Sequence, residues 1–163
     1  MILITVGTQK IKFDRLYEYI KDLKDDEIII QSGINKWNNL PSNFKVYDYI
    51  SYDKMAEYLN KSDILITHGG PSNIISGIRK KKKVIVVPRL KKYKEHINDH
   101  QLIFSQYLKK NKYCFVATTK EEFTLAYKSK KKMKEFISNN DNFIKSVKKE
   151  IDSLLEVSDE KNN

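Results

Sequence analysis

Short apolar runs alternate along the chain with stretches in which large apolar residues recur every three or four positions. That is the pattern of a parallel sheet whose strands are joined by covering helices. MILITV (1–6) reads as a buried strand, and after a turn at Gly7 and Thr8 the segment 13–23 sets Phe13, Leu16, Tyr17 and Ile20 at helical spacing. EIIIQ (27–31) is a second strand, and FKVYDYI (44–50) alternates large and polar residues as a strand near a sheet edge does. Ser51 is placed to cap a helix with the stripe Met55, Tyr58 and Leu59. DILIT (63–67) and VIVVP (84–88) are strands flanking a helix over 72–79, and 99–109 is a helix with Leu102, Ile103, Tyr107 and Leu108 facing inward. YCFVA (113–117) is the sixth strand, and Thr119 caps a helix over 120–128.

From about Met133, the residues Phe143, Val147, Ile151 and Leu154 predict a long last helix, and the charged tail 158–163 is expected to be disordered. The expected architecture is a doubly wound, Rossmann-like α/β domain of about six parallel strands over residues 1–157.

Composition narrows this picture. A chain of 163 residues with 40% hydrophobic content, ten Tyr and seven Phe can bury one core and is not a disordered polymer. No run approaches the ~18 apolar residues of a membrane span, and the first strand lacks the basic flank of a signal peptide, so a cytoplasmic chain is expected. The single cysteine, Cys114, lies in an apolar run and suits a core position better than a nucleophile's. No disulfide or metal framework is available. A formal charge of +10 raises nucleic acid as a partner, but nearly all the cations are Lys, with only Arg15, Arg79 and Arg89 offering a planar fork, so no nucleic acid is expected. The lysine runs at 80–83, 91–94 and 128–134 suit solvated helix ends, and they would also attract an anionic membrane at roughly 1 kcal/mol per residue held near it.

Candidate chemistry concentrates between Thr67 and Gln101, which holds all three histidines. In an open parallel sheet, ligands sit beyond the carboxyl ends of the strands. Two strand-to-helix turns there carry glycine: the one at Gly7 and Thr8, and the one running His68, Gly69, Gly70, Pro71, Ser72. Glycine lets backbone N–H groups approach an oxyanion, and the following helix favours a phosphate, although such pairs also mark plain turns. Neither GxxxxGK[ST] nor GxGxxG is present, so a P-loop is excluded and a standard dinucleotide site is unsupported. Six polar side chains, Glu95, His96, Asn98, Asp99, His100 and Gln101, then gather at a helix start, more than capping by Asn98 or Asp99 requires. Taken singly, Glu95 suits pairing with the neighbouring lysines and His96 a loop or surface position, whereas His100 and Gln101 favour contact with a hydroxyl-rich ligand such as a sugar.

The runs HGGPSN, VIVVPR and EHINDHQ, with ITVGTQ and FDRL before them, closely resemble the C-terminal domain of glycosyltransferase family 28 over roughly residues 1–108. The likeness is greatest to the short stand-alone members, catalytic subunits of two-subunit UDP-sugar transferases. These comprise bacterial capsular and exopolysaccharide galactosyltransferases and the cytosolic subunit of the dolichol-pathway GlcNAc transferase. The resemblance implies the donor-binding half of a GT-B fold, transferring a hexose with inversion to a lipid-linked sugar acceptor. The acceptor would be held by a separate membrane-anchored subunit that recruits this chain to the inner face of the membrane. It implies no metal and no other cofactor.

Carried onto this sequence, the resemblance sets Gly7 and Thr8 near the donor or the interdomain cleft, and Gly69, Gly70, Pro71 and Ser72 around the diphosphate. Arg89 would approach the phosphates, and Glu95, His96, Asn98, Asp99, His100 and Gln101 the sugar. Glu95, His96 and Asp99 are the catalytic candidates within the chain, and the partner is the other source of a base. Two positions depart from the family. Ser76 stands where many relatives hold the ribose with a carboxylate, and Lys81 where they have Gly, so that turn is built without positive φ or with strain. A non-catalytic subunit that has lost donor binding, and a basic module for membrane or nucleic acid, are the competing expectations.

Overall fold

Ile2–Thr5 (β1) and Ile28–Gln31 (β2) are buried at every residue, as strands are when helices cover both faces of a parallel sheet. The remaining strands are Phe44–Tyr47 (β3), Ile64–Thr67 (β4), Lys83–Val86 (β5) and Phe115–Val116 (β6). The computed structural model describes residues 1–25, 27–37 and 39–137. All six strands are parallel, in the order β3-β2-β1-β4-β5-β6. The alternating strand at 44–50 is thus the edge it was expected to be.

The helices are Asp14–Ile20 (α1), Tyr52–Lys61 (α2), Pro71–Arg79 (α3), His100–Lys110 (α4) and Lys120–Lys128 (α5). They divide the core in two. Phe13, Leu16 and Ile20 with Phe123 of α5 pack on one face of the sheet, and Leu59, Ile74, Ile78 and Leu108 on the other. Ser51 and Thr119 cap α2 and α5, accepting from Lys54 N at 3.3 Å and Glu122 N at 3.2 Å. Cys114 is a core residue whose thiol burial pushes up to about 12, so it is inert as a nucleophile.

Two expectations need correction, and one element has no signal in the sequence. Ile103 and Tyr107 of α4 are 66% and 64% exposed. The helix instead turns Ser105 and Leu108 inward with Gln101 beside them, and the positions 101, 105 and 108 define a face that cannot also bury 103 and 107. A 3-10 turn at Lys91–Tyr93, with no apolar periodicity to announce it, precedes α4. Residues 133–137 carry no helix. The rest of the expected last helix, with Phe143, Val147, Ile151 and Leu154, and the tail lie outside the described residues.

Both α3 and α4 end in a Schellman motif. Lys81 N donates to Ile78 O and Lys82 N to Gly77 O, while Lys112 N donates to Lys109 O and Tyr113 N to Leu108 O. The residue after each C-cap is left-handed, at φ +56° for Lys81 and +64° for Lys112. The turn at Lys81 is therefore built with strain, the second of the two ways left open. Among the described residues, no helix is long and apolar enough to cross a membrane.

Candidate functional site

The connections from β1 and β4 leave in opposite directions along the sheet, so their adjacent carboxyl ends form the crevice of a doubly wound fold. Both glycine turns stand there. Gly7 has φ +76°, a conformation that L side chains rarely adopt. Its N–H donates to Thr5 Oγ1 at 3.2 Å and its carbonyl accepts from Gln31 Nε2 at 3.0 Å, while Thr5 Oγ1 donates to Gln31 Oε1 at 2.6 Å. The polar ends of β1 and β2 thus hold the turn. Thr5 and Gln31 escaped the sequence reading, though a lone polar residue closing an apolar strand was the available signal.

The His68 imidazole fills the space between the two turns. A Cβ added to Gly7 would lie 2.5 Å from its Cε1, and one added to Gly70 would lie 2.4 Å from its Nε2. Burial pushes this ring down to about 4, with the charges of Arg89 and His96 adding to the effect and the Thr5 backbone opposing it. His68 is therefore neutral at pH 7 and offers a hydrogen bond rather than a charge. Pro71 opens α3 at its first position, where no N–H is missed. Gly70 caps the helix without a side-chain bond, and the N–H groups of Ser72 and Asn73 have no partner among the described residues. Thr8, Pro71, Ser72 and Ser76 are exposed. The open helix end beside a neutral imidazole suits an anionic oxygen.

The segment before α4 is folded by its own polar side chains. Asn98 Oδ1 accepts from His100 N at 3.2 Å, so Asn98 supplies the side-chain bond at the helix start, while Asp99 Oδ1 accepts from Lys91 N at 2.9 Å. His96 Nδ1 accepts from Asn98 N at 3.3 Å, and His100 is exposed at the first helical residue. Gln101 joins the two halves of the region: its Oε1 accepts from Gly69 N at 3.0 Å and from Arg89 N at 3.1 Å. Gly69 packs so closely that a Cβ there would lie 2.4 Å from that of Gln101. Nε2 of Gln101 has no partner among the described residues.

Arg89 and Glu95 do not stand where the resemblance implied. Arg89 is wholly buried. Its guanidinium donates to the carbonyls of Val6, Ile11, Lys12 and Glu95 and lies 4.5 Å from the centre of the Phe13 ring. Its charge is spent inside the domain, and burial pushes it down to about 10. The Glu95 carboxylate is equally occupied, accepting from Arg15 Nε at 3.0 Å, Arg15 Nη2 at 2.8 Å and Leu90 N at 3.0 Å. A general base needs a free lone pair facing the substrate, which leaves His96 and Asp99 as the candidates in this chain. Arg15, whose pairing with Glu95 across 80 positions has no local signal in the sequence, also donates to Tyr19 Oη and to the carbonyls of Pro88 and Thr118. Among the described residues, no group of three or more His, Cys, Asp or Glu side chains is placed to hold a metal ion.

A six-stranded parallel sheet in this order, with glycine turns at the switch point and an open helix end leading from one of them, defines a Rossmann-like domain of the kind found in GT-B glycosyltransferases. Solved structures agree on the fold. The glycosyltransferase of kitacinnamycin matches with a TM-score of 0.56 at 17% identity over 77% of this chain and 33% of its own. The spinosyn forosaminyltransferase SpnP matches at 0.55 and 17% identity over 75% and 32%.

The chain belongs to glycosyltransferase family 28, whose C-terminal domain matches residues 1–156. It is 28% identical over 123 residues to the UDP-N-acetylglucosamine transferase subunit ALG13 of Candida albicans, covering 76% of this chain and 34% of that protein. The chain thus spans about a third of the length of these relatives.

Proposed function

We propose that this chain is the donor-binding half of a two-subunit inverting glycosyltransferase. It moves a hexose, GlcNAc or galactose, from a UDP-sugar to a lipid-linked sugar acceptor in capsular or exopolysaccharide assembly. The observation that carries this reading is the pair of glycine turns at the adjacent ends of β1 and β4, with the start of α3, free of a side-chain cap, opening from the second. Family membership and the likeness to a transferase subunit support it.

In this reading the N–H groups of Ser72 and Asn73 and the neutral His68 hold the diphosphate, and the Ser76 hydroxyl one helical turn on meets the ribose. Asn98, His100 and the free amide nitrogen of Gln101 face the sugar. As UDP departs, those N–H groups and the helix dipole stabilise the growing charge, with no metal required. The base is His96 or Asp99, or a group of a membrane-anchored partner that holds the acceptor and brings the chain to the inner face of the membrane.

Calorimetric titration of the purified chain, alone and with its partner subunit, tests this with UDP-GlcNAc, UDP-galactose and GDP-mannose. Saturable heat with one of the UDP-sugars and none with GDP-mannose is expected. Absence of UDP-sugar binding in both preparations would overturn this reading and leave a non-catalytic subunit or a basic binding module.

A further inference from the structure

The three lysine runs do not share a surface. The run at 91–94 lies just past the carboxyl end of β5, on the same end of the sheet as the glycine turns. The other two meet at the opposite end, where α3, α4 and α5 finish, and residues 109–112 join them there. The assembly is direct: Lys81 Nζ bonds Glu135 at 3.0 Å, Lys134 N donates to Lys112 O at 2.8 Å, and Lys83 Nζ donates to the carbonyls of Tyr127 and Ser129.

Residues 79–83, 109–112 and 128–137 contain thirteen Lys and Arg against one carboxylate, Glu135, more positive charge than the +10 of the whole chain. Two grooves of about 440 and 610 Å³ indent this pole, and Lys131 lines both. Lys130, Lys131 and Lys132 are exposed, and their ammonium groups have no partner among the described residues.

We infer that this pole docks on an anionic lipid surface. Lysine ammonium groups are hydrated point charges that suit a diffuse layer of headgroups, whereas readers of nucleic acid rely on guanidinium forks and open aromatic faces. The pole offers little of either. Arg79, the one arginine, stacks 5.5 Å from the centre of the Phe136 ring, and Phe136 packs against Tyr113. At the rim, Ile137 and Leu125 are 86% and 72% exposed, aliphatic tips that a headgroup layer can accept. The pole and the glycine turns occupy opposite ends of the strands, so lipid contact leaves the ligand turns open. The inference therefore stands apart from the donor-site reading.

Sedimentation of the full chain with vesicles tests it. Phosphatidylcholine containing about a quarter phosphatidylserine is expected to carry the protein down and phosphatidylcholine alone is not, since each lysine near an anionic surface adds about fivefold. The triple Lys130→Glu, Lys131→Glu, Lys132→Glu is expected to lose at least tenfold in vesicle binding with UDP binding unchanged. The neutral triple Lys130→Gln, Lys131→Gln, Lys132→Gln, which adds no repulsion, is expected to lose about fivefold or more. Equal reversal at Lys10, Lys91 and Lys92, at the other end, is expected to stay within about twofold.

No sedimentation with the anionic vesicles would overturn the inference, and so would equal losses from the two reversals, which would make net charge the only cause. Tighter binding to single-stranded RNA than to vesicles would reassign the pole to nucleic acid.

Discussion

Gln101 holds two buried backbone donors with one oxygen, and its replacement separates holding the loops from meeting a ligand. Gln101→Ala leaves Gly69 N and Arg89 N without their acceptor, in a place where Gly69 is buried and Arg89 is wholly buried. Each stranded donor costs about 1–3 kcal/mol, so allowing water to reach the gap we expect a loss near 3 kcal/mol. For a domain of this size that lowers Tm by about 6–12 °C. Gln101→Glu keeps an acceptor in place, and a carboxylate in the first turn of α4 is favoured by the helix dipole, so its stability should stay within about 1 kcal/mol of the parent. It nevertheless removes the free amide donor and sets a negative charge beside the proposed diphosphate. UDP-sugar affinity should therefore fall at least about tenfold. Urea unfolding with calorimetric titration reads both quantities. An alanine variant as stable as the parent, or a glutamate variant as unstable as alanine, would refute the argument.

Lys81→Gly and Lys112→Gly remove a left-handed lysine from each Schellman turn. Relief of about 1–2 kcal/mol of strain, less the greater entropy of unfolded glycine, should raise stability by about 0.5–1 kcal/mol each in urea titrations. Glu95→Gln weakens the buried pair with Arg15, whose side chains are 12% and 6% exposed. It should cost about 3 kcal/mol, and the double variant Arg15→Met, Glu95→Leu should cost less than the sum of the single changes, read from a double-mutant cycle. The His68 pKa lies below its unfolded value of 6.5, at about 4. Protonation therefore favours the unfolded chain, and stability complete above pH 6.5 should fall as pH drops toward 4, by about 3 kcal/mol in the limit. His68→Gln should flatten that part of the pH profile.

The strands and helices were legible because each has a strong period and many have a punctuating residue, such as Ser51 before α2 or Pro71 opening α3. The orientation of α4 was not. Leu102, Ile103, Tyr107 and Leu108 look like a stripe, yet of these only Leu108 is buried and small Ser105 is buried with it, and apolarity alone does not register a small buried hydroxyl. At the site, the glycine turns and the helix start after Glu95 were found by composition. The inward roles of Arg89 and Glu95 were not, because their partners lie about 80 positions away on α1 and in the loop before it. A charged side chain beside glycine turns reads as a ligand contact until a distant partner is seen. Arg15 is that partner for Glu95, and no local pattern marks it.

Arg15, Arg89 and Glu95 pin the loop after β1, the residues after β5 and the stretch before α4 to one another. Mechanically these segments make a single block rather than three independent flaps. The conformational entropy of ordering them is lost during folding, so a ligand arriving there need not lose it again. Their backbone amides should exchange with solvent as one cooperative unit, and opening one loop should open all of them. In the two-subunit reading proposed above, motion that admits a donor falls to the movement of one half against the other rather than to these loops.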